Sequence, residues 1–237
     1  MIVKENFTLQ QQLEPIIRKV GPENIWRPIH DRNDHLLFEG VGHYTGTIQK
    51  ALNTLSFSGK SVVDLGCNFG FYSFYAAQKG AARVVGIDSD PDVIRGCRIL
   101  ARHYRITNVE FRVADFIYGD VPDTYDIALM VDFIGKNVIR KEKLLPCLSR
   151  LMKLSRQCIF MSIIPEYDIH RVLKLAPDWV AAKYGAPFVQ NERFRLIGLV
   201  QSLLGESWEI SIPCDKGGRP QVTKHPLTAV KKPPILL

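Results

Sequence analysis

Residues 62–73 read VVDLGCNFGFYS: a β-branched run ending near an acid, Asp64, then a turn bearing Gly66 and Gly70, then an apolar stretch of helical character. Where a parallel strand gives way to a helix, the helix start offers unpaired N–H groups, and ligand sites form at the carboxyl ends of such strands. Residue types exclude two phosphate chemistries for this loop. A P-loop needs Lys-Ser or Lys-Thr after its last glycine, whereas Gly70 is followed by Phe71. A dinucleotide fingerprint needs glycine at 66, 68 and 71, and this chain has Gly66, Asn68 and Phe71. What remains is an acid and a sharp turn that can pass close to a ligand without cradling a pyrophosphate.

The elements that must position this loop alternate through the middle of the chain. SVVDLG reads as a strand and FYSFYAAQKG as a helix closed by Gly80. ARVVGID is a second strand, and Asp90-Pro91 supplies an N-cap and a first-turn proline for a helix through VIRGCRILARHY. VEFRVADF, YDIALMVDF and CIFMSII continue as third to fifth strands, with LLPCLSRLMKL helical before the last and Pro146 starting or kinking it. Apolar strands separated by helices predict an α/β fold, a doubly wound and mostly parallel sheet with helices on both faces. Further on, RFRLIGLVQSLLG reads as a helix stopped by Gly205. SWEISIP and QVTKHPLTAV read as an antiparallel hairpin across DKGGRP, where Gly217 and Gly218 suit the turn and Pro226 opposes a central ladder. The first 50 residues form a helical preface, FTLQQQLEPIIRKV and TGTIQKALNTL around a polar loop. The expected division is a preface or lid at 1–50 and a ligand-binding domain at 51–237.

Composition narrows the setting. The 237 residues are 46% hydrophobic and 23% charged, enough for one sizeable core, and no apolar run approaches the roughly 20 residues a bilayer span requires. Five cysteines without CxxC spacing fit a reducing compartment, so the expectation is a cytoplasmic protein with no membrane partner. A net charge of +7 is a mild pull toward polyanions.

The stretch VVDLGCNFGFYSFYAAQKGAARVVGIDSDPDVI, followed by NVEFRVADF and YDIALMVDF, resembles the class I S-adenosylmethionine-dependent methyltransferases over residues 60–164. The resemblance implies a Rossmann-like fold and S-adenosylmethionine as cofactor. It places the loop of Asp64, Gly66, Cys67, Asn68 and Gly70 beneath the methionine part. Asp88, with Ser89 beside it, falls on the ribose hydroxyls, and Asp115, with Phe116, on the adenine amine. A carboxylate accepting two ribose O–H bonds makes charge-assisted contacts that fix the sugar. The family has glycine at the centre of the loop where this chain has Asn68, a residue that tolerates left-handed backbone.

Methyl transfer from a sulfonium is an in-line displacement, so the protein must align the acceptor and help remove its proton. Two residues are candidates for that work: Asp132, at the end of the fourth strand, and His170, which follows the fifth with Glu166, Tyr167 and Asp168. The family's amino-methylating members carry Asn/Asp-Pro-Pro-aromatic where this chain has DFIG, which disfavours methylation of a base amine. A small molecule or metabolite is therefore the expected acceptor. RNA is the alternative: Arg95, Arg98, Arg102 and Arg105 share one helix face, and Lys216, Arg219, Lys224, Lys231 and Lys232 follow in the tail. A third reading is a cofactor-binding subunit without catalysis. His30, Asp31, Asp34, His35 and His43 crowd the preface, but their spacing suits a polar lid loop, and no metal is expected.

Overall fold

A computed structural model describes residues 7–42, 46–212 and 225–233. In chain order the elements are α1 (Leu9–Val20), β1 (Ile29–His30), β2 (Leu36–Phe38), α2 (Gly46–Leu52), β3 (Ser61–Leu65), α3 (Phe71–Gln78), β4 (Arg83–Asp88), α4 (Pro91–Tyr104) and β5 (Val109–Val113). There follow β6 (Tyr125–Met130), α5 (Lys136–Arg140), α6 (Leu144–Leu154), β7 (Ser155–Ile163), β8 (Tyr167–Asp168), α7 (Pro177–Tyr184), β9 (Val189–Gln190), β10 (Arg193–Phe194), α8 (Leu196–Leu204), β11 (Trp208–Ser211) and β12 (His225–Lys231). The main sheet has seven strands in the order β11-β12-β7-β6-β3-β4-β5. β3 with β4, β4 with β5 and β6 with β7 run parallel. β12 runs antiparallel to both β7 and β11. The mostly parallel α/β sheet and the antiparallel C-terminal strands are those the sequence pattern predicts. The DKGGRP turn, Cys214, His43, Lys216, Arg219 and Lys224 lie outside the described residues. Among the described residues no helix is long and apolar enough to cross a membrane.

Pro226 is the second residue of β12 and stands opposite Ser162 of β7. Among the described residues β11 pairs with residues 228–231, from Ser211 opposite Thr228 to Trp208 opposite Lys231.

The described residues form two compact units, one drawn from 1–44 and 56–122, the other from 45–55 and 123–237. In the first, α4 begins as the sequence predicts: the Asp90 carboxylate accepts from the N–H groups of Asp92 (2.8 Å) and Val93 (3.3 Å), and Pro91 fills the first helical position. Val93, Ile94, Cys97 and Leu100, three and four apart, form its buried stripe. They meet Leu9, Leu13, Ile16 and Ile17 of α1 and Phe111 of β5 in one apolar cluster that also contains Cys67 and Phe69 of the glycine loop. The loop is thus part of the core as well as the edge of a site. The preface has the expected helices α1 and α2, but its polar loop is folded: β1 and β2 pair antiparallel, and the Tyr104 hydroxyl donates to His30 O at 2.6 Å.

In the second unit, β6 and β7 carry α6, whose Pro146 lies in the first turn where no intrahelical N–H bond is due. Beyond β7 the chain makes a small antiparallel sheet, β8-β10-β9, a π-helical turn (Ile169–Leu173) and α7. The Tyr184 hydroxyl anchors this part by donating to Ile139 O at 2.7 Å. Gly205, at φ 59°, ends α8 as its position in the sequence requires.

Candidate active site

The loop between β3 and α3 has an alternating construction. Gly66, Asn68 and Gly70 all take left-handed backbone, at φ 73°, 47° and 79°. The residues between them, Cys67 and Phe69, are buried in the core. The N–H groups of Gly66 and Cys67 both donate to Ile87 O, at 2.9 and 3.0 Å, which ties the turn to the end of β4. Glycine is required at 70 on two counts: besides its φ, a Cβ there would come within 2.8 Å of the Phe111 ring.

Asp88 ends β4 and is half-buried. Asn68 N–H donates to its Oδ2 at 3.0 Å and Asp90 N–H to its Oδ1 at 3.1 Å. Burial raises the Asp88 pKa above the ordinary aspartate value, and the backbone donors of Asp90, Asn68 and Ser89 oppose that rise. Both carboxylate oxygens are thus oriented by backbone N–H groups.

Asp64 lies deeper. It is 2% exposed and receives the Ser73 hydroxyl on Oδ2 at 2.6 Å. Desolvation pushes its pKa up to about 7, the Ser73 bond pulls it down, and the Asp88 charge adds to the rise. Its carboxyl links β3 to the first turn of α3. Ser73 was not singled out from the sequence, although one small polar residue set among the aromatics of FYSFY is a legible signal of a buried polar partner.

At the end of β5, Asp115 is exposed. Its Oδ1 receives the N–H groups of Ile117 (2.9 Å) and Tyr118 (3.3 Å), while Phe116 beside it is buried. Ser89 is exposed at the start of the turn into α4. The Cys67 thiol points into the core beside Cys97, and burial raises its pKa well above the ordinary thiol value. Any contact Cys67 makes with a ligand falls to its backbone.

The preface reaches the same loop. Asn68 Oδ1 accepts from Trp26 N–H at 3.1 Å, and Asn68 Nδ2 donates to Asn24 O at 2.9 Å. The Arg27 guanidinium, on a side chain only 4% exposed, stands over the Tyr72 ring at 5.5 Å. No local sequence signal foretells these contacts, which join residues more than forty positions apart. Asp31 and His35 are engaged with each other: His35 Nδ1 lies 3.0 Å from Asp31 Oδ2, and Asp31 Oδ1 receives the N–H groups of Asn33 and His35.

In the second unit, Asp132 follows β6 with φ 60°, a conformation costly for a residue with a side chain. Its N–H donates to the Ser162 hydroxyl at 2.8 Å, and that fully buried serine also lies 3.4 Å from Asp132 Oδ1. His170 is exposed and its Nε2 is 3.8 Å from Glu192 Oε1. Asp132 is therefore held in a strained pose by a buried partner, whereas His170 faces an exposed carboxylate.

Residues 56–178, just over half the chain, match the family described as "Methyltransferase domain". Curated relatives named "Ribosomal protein L11 methyltransferase", from Salmonella arizonae and Escherichia coli, are 30% identical over 122 residues. Those matches cover 48% of this chain and 39% of the relatives' own length. Among solved structures, magnesium protoporphyrin IX methyltransferase from Synechocystis PCC 6803 with bound S-adenosylhomocysteine is similar at a TM-score of 0.53. It is 19% identical, with 79% of this chain and 81% of that one covered.

Proposed function

The chain belongs to the methyltransferase-domain family, and from that premise we propose that it transfers the S-adenosylmethionine methyl group to a small-molecule acceptor, with Asp88, Asp115 and the Asp64–Gly70 loop forming the cofactor site. The observation that carries the reading is the state of Asp88: a half-buried strand-end carboxylate with both oxygens oriented by backbone donors of the glycine loop and of the turn that follows β4. Such a group suits a pair of vicinal hydroxyls. Asp115, exposed at the next strand end, suits an exocyclic amine, with Phe116 buried beside it.

When bound, the cofactor supplies an electrophilic methyl group on a sulfonium. The chain's own residues must fix the sugar, place the acceptor and take the acceptor's proton. Asp132 is the residue proposed for the last task, because Ser162 receives its backbone N–H and also lies 3.4 Å from its Oδ1, within reach to orient the carboxylate. The curated relatives share only this domain, so they support methyl transfer and leave the acceptor to be identified by experiment. The absence of a Pro-Pro-aromatic sequence after Asp132 favours a small molecule over a base amine.

One observation favours RNA as a second reading: a groove of about 680 Å³ is lined by Arg98, Arg102 and Arg105 together with Glu110 and Phe111. Two members of the stripe are already engaged. Arg95 pairs with Asp92 at 2.8 Å, and Arg98 donates to Phe111 O at 2.8 Å.

Calorimetric titration with S-adenosylhomocysteine tests the cofactor site. Loss of the charge-assisted bonds in Asp88→Ala should cost about 1.5–3 kcal/mol, a drop in affinity of roughly 10- to 150-fold. Asp88→Asn, which keeps an acceptor for Asn68 N–H, separates ribose contact from loop support. Undiminished binding by both variants would sink the assignment. Incubation with methyl-labelled cofactor and fractionated cell extract then shows whether label enters small molecules, RNA or protein.

A further inference from the structure

The segment from Asn24 to Gly42 is a ribbon folded back on itself. Val41 N–H donates to Ile25 O at 2.7 Å and Gly42 N–H to Trp26 O at 3.0 Å. The two arms lie so close that a Cβ on Gly40 would sit 2.5 Å from the Arg27 carbonyl carbon, and one on Gly42 would sit 2.4 Å from Trp26 O. Within the ribbon, Asn24 and Trp26 are both bonded to the side chain of Asn68, one through its amide nitrogen and one through its amide oxygen. The same residue's backbone N–H donates to Asp88 Oδ2, and its carbonyl accepts the Cys97 thiol at 3.0 Å.

A glycine would satisfy the backbone here, at φ 47°, without strain. The chain instead carries the one kind of side chain that tolerates this region while offering both a donor and an acceptor. Both are spent on the ribbon. Asn68 therefore joins the Asp88 carboxylate, through its backbone N–H, to Asn24 and Trp26, through its side-chain amide.

We propose that Asn68 is a positioning residue that couples occupancy of the Asp88 carboxylate to closure of residues 24–42 over the glycine loop, a proposal that rests on Asp88 being the ribose-binding acid. Hydroxyl donors on Asp88 fix the carboxylate that receives the Asn68 N–H. A fixed loop centre lowers the ordering cost of the ribbon bonded to it. The coupling is reciprocal: whatever factor the closed ribbon contributes to cofactor affinity, the cofactor returns to the ribbon as protection.

Asn68→Gly tests the idea on the full chain, because it relieves the backbone while deleting only the two side-chain bonds. Hydrogen exchange is followed by mass spectrometry with and without S-adenosylhomocysteine. In the wild type the ligand should slow exchange of the Trp26, Val41 and Gly42 amides as well as those of residues 66–70. In Asn68→Gly it should still protect residues 66–70, bind about 5- to 30-fold more weakly, and leave the ribbon amides unaffected. A merely structural asparagine would lower ribbon protection without abolishing its response to ligand. A ribbon that responds equally in both proteins, or in neither while residues 66–70 respond in both, overturns the coupling and leaves the cofactor site standing. No protection anywhere in the wild type overturns the cofactor site and the coupling together.

Discussion

Asp64→Asn isolates the buried carboxyl in the β3–α3 link. In the folded chain the Asp64 carboxyl titrates at about 7, against an ordinary value of 3.8. Between those values the folded protein keeps a proton that the unfolded chain has released, so stability must fall as pH rises through the window and level off above it. At 1.36 kcal/mol per pH unit, the distance from 3.8 to about 7 gives an upper bound of about 4 kcal/mol. Asparagine cannot ionise, yet its Oδ1 can accept the Ser73 hydroxyl as the carboxylate does now at 2.6 Å. Urea unfolding followed by circular dichroism at pH 5, 6, 7 and 8, without cofactor, measures the difference. The variant should gain on the wild type with each step up to pH 7 and lead by as much as about 4 kcal/mol at pH 8, which for a chain of this size corresponds to roughly 8–16 °C in melting temperature. Ser73→Ala, which removes the bond holding the carboxyl down, should extend the pH-dependent loss to higher pH. Parallel wild-type and Asp64→Asn stabilities across the range would refute the burial argument.

Gly86→Ala would place a Cβ 2.6 Å from the Phe111 ring and 2.8 Å from Ser73 Oγ, and should lower stability by about 1–3 kcal/mol in chemical denaturation. Ser162→Ala removes the hydroxyl that receives Asp132 N–H, and should cost about 1–3 kcal/mol in stability while leaving S-adenosylhomocysteine affinity, read by calorimetry, unchanged. Replacing Arg98 and Arg102 together with Gln should leave cofactor affinity and turnover nearly unchanged at any salt concentration. If RNA is the acceptor, binding should instead weaken with salt at a log–log slope of about −0.7 per phosphate neutralised, and the double variant should flatten that slope.

The sequence was most legible where local chemistry and long-range packing ask for the same residue. Asp90-Pro91 caps α4 whatever that helix packs against, and Val93, Ile94, Cys97 and Leu100 mark its buried face by spacing alone. The strand-end acids Asp88 and Asp115 were legible for the same reason, since each follows a strand whose apolar run is unmistakable. Short strands gave no such signal. β1 and β2 hold two and three residues, and their partners are set by the fold-back around Asp31, not by alternation. In the small sheet β8-β10-β9 each strand has two residues, too few to show alternation, and β8 pairs with positions some twenty-five further on. Pro226 weighed against the hairpin in the sequence, yet it is accommodated as the second residue of β12, near the strand's start, opposite Ser162.

The loop breaks its family's pattern at one residue, and its surroundings give that departure a physical reason. Phe69 packs so closely on α4 that a Cβ on Gly96 would come within 2.6 Å of its ring. Cys67 is buried beside Cys97, and Gly66 and Cys67 are both tied to Ile87 O. The turn is therefore packed against α1 and α4, and of its left-handed residues only Asn68 carries a side chain in that region, the glycines at 66 and 70 adopting it freely. A loop held in this way bears most of its ordering cost when the protein folds, and what a ligand on Asp88 adds is the further fixing of the carboxylate and of the Asn68 N–H that donates to it. The ribbon from Asn24 to Gly42 shares the loop's apolar cluster through Ile25 and Ile29, and the side chain of Asn68 adds two hydrogen bonds to it that a glycine at that position would not make.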